Sequence, residues 1–517
     1  MPRTTARDLG VSLLAVMVFG AIAAYGARDA FHADALAYAR IATYYAHGDW
    51  QRAVSMYWSP LFSWLLIPLA SLFPDPVHAG RAAMLVSGLV FALGSHVVLV
   101  RLCADDVMRR LGTLLVSVFA VTAIGHEITP DLLMAGLFAP AIARLVSTDW
   151  LNGGARAFGT GLLLGLACLA KSVALPAGAI GLLAVAIVRL LVGELRRRVL
   201  VAFACTGLGL ATLAVPWIAT MSVHAGTLTL GSNALVNLTL SGPSDVDRFH
   251  PTFRVLHVPP PGRISTWEAP EAMPYRVWSP FDSRDRLTYW LSFLRDNAGN
   301  ILQRLAGFDL IGLGLVCAVL AFFAHAPWRQ GLAREPWRWS LCGVALPIGL
   351  YVPFFASSAR YYNAAYPFLL VAALGVTHAL VGAARRTVAL LVVGIAFLGV
   401  SGPSLLRCVV LPQPDIETLD ARVWGRTLQA RGRSGPIAAI GPNGHTALYA
   451  ALFVAQPFVG NVLDLADTRA LDEVGARVVF VKTGTAAAQV LAHAATFARV
   501  EAPADASARN EVYCRRP

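Results

Sequence analysis

The sequence predicts a mainly α, polytopic transmembrane helical bundle of about eleven spans, followed by a small α/β domain. Three observations carry that prediction. The chain is 56% hydrophobic and only 14% charged over 517 residues, with a mean hydropathy of +0.60, which is more apolar surface than one water-soluble core can hide. Its apolar residues fall into windows long enough to cross a bilayer, joined by short connections that carry arginine. From about residue 408 the pattern changes to short apolar runs alternating with helical ones.

The first stretch, 1–26, begins with Arg3 and Arg7 and continues into an apolar run without a clear small-residue cleavage site. It reads as a retained first helix rather than a removed signal. Apolar windows place spans at 9–27, 79–100, 111–125, 131–147, 157–171, 174–192, 199–222, 305–324, 339–356, 363–383 and 387–406. With the N-terminus inside, the inner connections receive Arg101, Arg109, Arg110, Arg144, Arg156, Arg196, Arg197, Arg198, Arg329, Arg334, Arg338, Arg385 and Arg386. That is the asymmetry expected of a cytoplasmic face. The formal charge of +12 therefore reports topology, and nucleic acid is excluded as a partner because no basic stripe gathers these arginines on one face.

Three segments do not span. Residues 28–78 form a first outer loop whose apolar stretch, 60–73, is too short to cross and contains Pro68, so a helix lying in or dipping into the interface is expected. Residues 223–300 form a second outer loop rich in Pro, Trp and charge. The division is thus a transmembrane domain at 1–407 with outer loops 28–78 and 223–300, and an outer α/β domain at 408–517. In that domain "PIAAIG" and "ARVVFVK" read as strands and "AAAQVLAHAATFA" as a helix. Of seven cysteines, Cys103, Cys168, Cys205, Cys317 and Cys342 lie in or beside spans and read as small apolar packers. Cys408 and Cys514 flank the outer domain and either close it with a disulfide or stay as two unpaired thiols.

Ionisable residues at span ends are candidates for function because they are costly to place there. Four groups fall on the outer side: Asp34 with His32, Tyr38, Arg40 and Asp49 after the first span; His126, Glu127 and Asp131 in a tight turn; Lys171 in an otherwise uncharged hairpin; and Arg360, Tyr361, Tyr362 and Tyr366 between two late spans. Each group admits a plainer explanation. Asp131 can cap a helix, the tyrosines can belong to an interfacial belt, and His126 and Glu127 can be solvated turn residues. Lys171 can snorkel, although the chain holds only two lysines, Lys171 and Lys482, among 42 basic residues. What favours function is convergence at one face. Lys171 and Arg360 would neutralise a lipid phosphate, and a carboxylate would take the proton of an attacking hydroxyl.

In their order, Asp34, Tyr38 and Ala42, then "GDW" at 48–50, "SPLFSWLLIPLASLF", Arg81, "TPDLLMAG", "GLACLAKSVALP" and "ARYYNAAYP" resemble the C-type glycosyltransferase superfold. Within it, they are similar to the branch of bacterial aminoarabinose transferases and protein O-mannosyltransferases. The resemblance covers about residues 1–190 and 350–375. It implies inverting transfer of one sugar from a polyprenyl-phosphate donor to a lipid, glycan or protein acceptor at the periplasmic face of the inner membrane. It implies further that Asp34 is the general base or orients the acceptor, that Asp131 is the second acidic position, and that Lys171 lies near the donor phosphate. Arg81, Arg360, Tyr361, Tyr362 and Tyr38 are implied as substrate contacts. Some members of the superfold use a divalent metal, for which Asp34, Glu127, Asp131 and His126 could supply ligands. The chain reads "AKS" where a lysine-glycine pair is common, and "SP" where paired prolines are common, which leaves the donor sugar open.

Two further readings compete. A transporter or flippase of lipid-linked sugars would show inverted repeats and mid-span charges, and a polysaccharide polymerase or ligase would concentrate its chemistry in one large outer loop. The transferase reading gives the second outer loop a covering role, with Trp267, Tyr275 and Trp278 as sugar-stacking candidates or interfacial anchors. Its other partners are membrane lipids.

Overall fold

The computed structural model describes residues 3–103, 105–243, 251–273, 277–306, 336–354, 358–412, 414–442 and 444–516. The first span forms as α1 (Arg3–Gly26), and the first outer loop folds into α2 (Ala33–Ala46), the single turn α3 (Trp50–Ala53) and α4 (Pro60–Leu72). Local chemistry sets these ends. The His32 ring accepts from the Asp34 amide ahead of α2, Asp49 accepts from the Arg52 amide, and Pro60 begins α4 where its missing N–H costs nothing.

The bundle continues with α5 (Pro76–Leu102), α6 (Asp106–Ile124), α7 (Asp131–Val146), α8 (Gly154–Ala170), α9 (Ala174–Leu191) and α10 (Arg196–Ala225). The second outer loop contributes α11 (Asn233–Leu240) and α12 (Arg284–Ala306), and the late helices are α13 (Ser340–Tyr351), α14 (Tyr366–Leu380) and α15 (Ala383–Val409). Ten of the predicted spans thus coincide with helices. The one at 305–324 lies, apart from its first two residues, outside the described residues, as do Cys317, Arg329, Arg334 and Tyr275.

Among the described residues, five helices are long and apolar enough to cross a membrane: the α1 stretch Thr5–Gly26, α5, α6, α9 and α10. The two halves of α15, bent by 49°, make a sixth if they count as one span. The chain is a multi-pass membrane protein. Its spans wear their apolar residues outward, with Leu14, Val18, Leu93, Leu208, Val392 and Ile395 all exposed. Helix α7 breaks the length rule for a physical reason. It would measure only about 24 Å, but it is buried at every position except Leu137 and Arg144, so neighbouring helices rather than lipid form its surroundings. Close helix approach is made by small residues. A Cβ on Gly161 of α8 would fall 2.0 Å from the Thr206 carbonyl of α10, and one on Gly209 of α10 would fall 2.2 Å from that of Phe158.

The C-terminal unit begins with α16 (Ile416–Ala430), N-capped by Asp415. It continues through β1 (Ile437–Ile440), α17 (Gly444–Phe453), β2 (Phe458–Val462), α18 (Arg469–Glu473), β3 (Val478–Lys482), α19 (Ala486–His493), β4 (Phe497–Val500) and β5 (Asn510–Arg515). The sheet order is β2-β1-β3-β5-β4. β1 pairs in parallel with β2 and β3, and β5 is antiparallel to β3 and β4. The run read as one helix from its alanines is in fact α19 followed by β4, because Phe497 turns in to the core.

The second outer loop covers the free edge of β2. The His257 amide donates to the Val459 carbonyl (2.7 Å), the Phe458 amide donates to that of Ile264 (2.6 Å), and Leu256 bridges Gly460. Gly460 has φ +106°, and a Cβ there would sit 2.2 Å from the Val255 carbonyl, so glycine is what allows the approach. The same loop is held on α2 by Glu268, which is fully buried. Glu268 accepts from the Tyr44 hydroxyl (2.6 Å) and the Ile264 and Ser265 amides (2.7 and 3.1 Å). The C-terminal unit is tied to residues 28–78 as well: the Phe31 amide donates to Thr418 (3.2 Å), the Phe31 ring meets Tyr449 edge-on, and Arg422 forks onto Asp75.

A disulfide between Cys408 and Cys514 does not form, and both thiols are free. Cys408 ends α15 against Gly125 and His126, whereas Cys514 is buried in β5 opposite Val478 and Ala498.

Candidate active site

Five positions along the backbone deliver the charged side chains to one place. The first turn of α2 carries Asp34, the tight turn between α6 and α7 carries Glu127, the first residue of α7 is Asp131, and the C-cap of α8 is Lys171. The turn before α14 supplies Arg360. Because α6 rises, α7 returns and α8 rises again, the 126–131 turn and Lys171 are brought to the same end of the bundle.

Arg360 is the centre of the arrangement. Its Nη2 donates to Asp34 Oδ2 at 2.6 Å, its Nη1 lies 2.7 Å from Glu127 Oε2, and its Nε lies 3.8 Å from Asp131 Oδ2. Lys171 Nζ donates to the other oxygen of Asp131. Three carboxylates and two cations thus form a continuous network. Both cations rest on aromatic faces: Lys171 lies 4.4 Å and Arg360 5.2 Å from the centre of the Tyr361 ring, and Tyr351 stacks beside Tyr361 at 5.0 Å. His32 Nε2 approaches Glu127 at 3.9 Å.

Exposure differs sharply within the network. The side chains of Asp34, Asp131 and Arg360 are 13%, 2% and 15% exposed, whereas that of Glu127 is 38% exposed. Burial works to raise the Asp34 carboxyl, but Arg360 above all, then His32 and Lys171, outweigh it and hold the group below the ordinary carboxylate range. Burial also works against the charge on Arg360, yet Asp34, Tyr361, Asp131 and Glu127 keep its guanidinium well above its ordinary value. Of the three carboxylate contacts only that to Asp34 has hydrogen-bond geometry, and the same Nη2 donates to the Tyr361 hydroxyl (3.4 Å); Arg360 Nη1 and Nε are buried donors without a hydrogen-bond partner among the described residues.

The remaining expected site residues stand behind this network. Tyr38 is buried one turn along α2, edge-on to Trp58 (5.1 Å) and Phe62 (5.3 Å), and Tyr362 is buried against Tyr351. Arg81, expected as a phosphate contact, also stands behind the network. It is buried on α5, where Nη1 donates to the carbonyls of Ile124 (3.3 Å) and His126 and Nη2 to that of Ala30 (2.7 Å), so it ties the turn that carries Glu127 to the segment before α2, while its Nε has no hydrogen-bond partner among the described residues. Trp278 is buried with its indole N–H on the Leu238 carbonyl, and is not presented for sugar stacking.

The proposed metal ligands do not assemble into a set. Among the described residues no group of three or more His, Cys, Asp or Glu side chains is placed to hold a metal ion. The physical reason is that the Arg360 guanidinium lies between Asp34, Glu127 and Asp131, while His126 is turned to the Thr122 carbonyl (2.6 Å). A divalent cation does not fit among groups already bridged by an arginine.

Tyr351 and the Glu268–Tyr44 contact are absent from the expectations drawn from sequence. Tyr351 ends a span, where a tyrosine is ordinary, and Glu268 lies in a loop full of charge.

This combination is a multi-pass helical bundle with a C-terminal α/β unit and a charged network at one end of the bundle. No family model matches the chain, and no curated protein matches it in sequence. The fold is similar to that of ArnT from Cupriavidus metallidurans bound to undecaprenyl phosphate, with a TM-score of 0.54 at 14% identity over 98% of each chain. It is similar, too, to the Archaeoglobus fulgidus oligosaccharyltransferase in the apo form, with a TM-score of 0.54 at 12% identity over 92% of this chain and 69% of that one. At such identities the likeness is one of architecture.

Proposed function

We propose that this chain is a glycosyltransferase that moves a sugar, with inversion, from a polyprenyl-phosphate donor to a lipid, glycan or protein acceptor at the periplasmic face of a bacterial inner membrane. The observation that carries the reading is the state of Arg360. It is a largely enclosed guanidinium, 15% exposed, that shares Asp131 with Lys171 and faces Glu127 and Asp131 through ion pairs rather than hydrogen bonds, and such a pair of cations suits phosphate oxygens. The similar fold bound to undecaprenyl phosphate supports the donor class, and the arginine-rich connections support an N-terminus in the cytoplasm and an outer domain in the periplasm.

In the proposed reaction the donor phosphate takes Arg360 from its carboxylates and releases Asp34. The acceptor hydroxyl oxygen attacks the anomeric carbon from the face opposite the phosphate as its proton passes to Asp34. The bond from that carbon to the phosphate oxygen breaks, the electron pair leaves on the oxygen, and Lys171 with Arg360 balances the developing charge. Asp131 positions Lys171. Residues 408–517 act as one outer domain whose helix α17 walls the acceptor side.

The transferase reading is preferred to a flippase because the charged groups sit at helix ends rather than mid-span. The test is single-turnover transfer from radiolabelled polyprenyl-phosphate sugars in membranes, comparing wild type with Asp34→Asn and Lys171→Ala. Loss of transfer with normal insertion supports the assignment. A donor that is never consumed, or variants that match wild type, would overturn it.

A further inference from the structure

At the end of the bundle away from Asp131 and Lys171, a cavity of about 360 Å³ is lined by Arg101, Arg144 and Arg156 together with Ser147, Asp149 and Thr160. The three arginines come from different helices: the last turn of α5, the last turn of α7 and the first turn of α8. They converge because α5 and α7 end where α8 begins. The cavity lies the length of α7 from the carboxylate network, on the order of 20 Å.

The charges of this cavity are not balanced. Arg101 donates to the Ser147 hydroxyl at 2.7 Å and pairs with Asp149 at 3.3 Å. Arg144 and Arg156 have no carboxylate in ion-pair range among the described residues, and Arg144 Nε is a buried donor with no hydrogen-bond partner there. Other arginines at the same end are differently placed: Arg109 and Arg110 share Asp8, and Arg189 meets Glu194. The floor is fixed, since Trp150 is buried with its indole N–H on Thr206 (2.8 Å), and Thr160 is buried against the Arg156 carbonyl.

We propose that this cavity binds a phosphate group, that of an anionic phospholipid of the leaflet opposite the charged network. Two guanidiniums without carboxylates can fork onto phosphate oxygens, and the Ser147 hydroxyl, which donates to the Arg144 carbonyl (3.2 Å), can donate to a third on rotating away from it. Attraction of anionic headgroups to basic residues is general at this interface. What sets this site apart is a walled cavity in which two unpaired arginines face one ligand. The inference does not depend on the transferase reading.

The experiment uses the full chain in detergent micelles and follows binding of short-chain phosphatidylglycerol by native mass spectrometry and by the shift in thermal midpoint. Phosphatidylcholine and inorganic phosphate are the comparison ligands. Arg144→Gln/Arg156→Gln is compared with Arg197→Gln/Arg198→Gln, which removes the same charge from exposed positions outside the cavity. Saturable phosphatidylglycerol binding, weakened tenfold or more by the cavity variant and less than threefold by the other, supports the site. Saturation by inorganic phosphate alone assigns the cavity to free phosphate and overturns the lipid. Equal binding of phosphatidylcholine, or equal loss in both double variants, overturns the site altogether. Arg156→Gln alone, altering an exposed side chain, keeps the comparison available if the double variant does not fold.

Discussion

Replacing Arg360 by glutamine is the sharpest perturbation of the charged network. The guanidinium and the Asp34 carboxylate are 15% and 13% exposed and hydrogen-bonded at 2.6 Å, so removing one partner strands a largely buried charge, a loss of about 3–5 kcal/mol. The Glu127 contact adds no more than about 1 kcal/mol, since that side chain is 38% exposed. Asp131 retains Lys171. Arg360→Gln therefore destabilises by roughly 3–5 kcal/mol, dominated by Asp34. Asp34→Asn costs less, because Arg360 keeps Glu127 and Asp131, and the double variant recovers about 1–3 kcal/mol against the sum of the singles. The assay is unfolding in mixed micelles titrated with sodium dodecyl sulfate, read as a double-mutant cycle. Strictly additive single effects would show that the two groups do not interact, and the account of the network would fail. If the proposed reaction holds, Arg360→Gln also slows single-turnover transfer about 10²–10³-fold through loss of charge balance on the leaving phosphate.

Asp34 titrates below its ordinary 3.8 in the folded protein. Its contribution to stability is therefore complete at neutral pH and is lost as pH falls from the ordinary value through the depressed one. Asp34→Asn should remove that acid limb from a stability-against-pH profile, and an unchanged limb would contradict the network. Arg81→Met should destabilise by about 1–3 kcal/mol per stranded carbonyl, detected as faster proteolysis of the 126–131 turn, while donor binding to a folded variant stays within about twofold; a tenfold loss of donor binding would return Arg81 to the phosphate. Gly460→Ala should cost more than about 1 kcal/mol, because φ is +106° and the Val255 carbonyl blocks a Cβ. Limited proteolysis at 251–264 should accelerate, and equal protection would refute the edge pairing.

The membrane character, the places of ten helices and two strands of the C-terminal unit were legible in the sequence, because each rests on local periodicity and hydropathy. Asp34, Glu127, Asp131, Lys171, Arg360 and Tyr361 were legible as candidates, because charge at the end of an apolar run is conspicuous wherever it occurs. Their partnership was not. Whether Arg81 faces a phosphate or three backbone carbonyls, and whether the acidic residues gather a metal or an arginine, depends on side chains 43–326 residues apart meeting across packed helices. Cys408 and Cys514 likewise bracket one unit in sequence, while the fold sends one to a helix end beside His126 and the other into a strand. Local patterns reveal which residues resist burial in lipid, and only the packing of the bundle decides which of them neutralise one another.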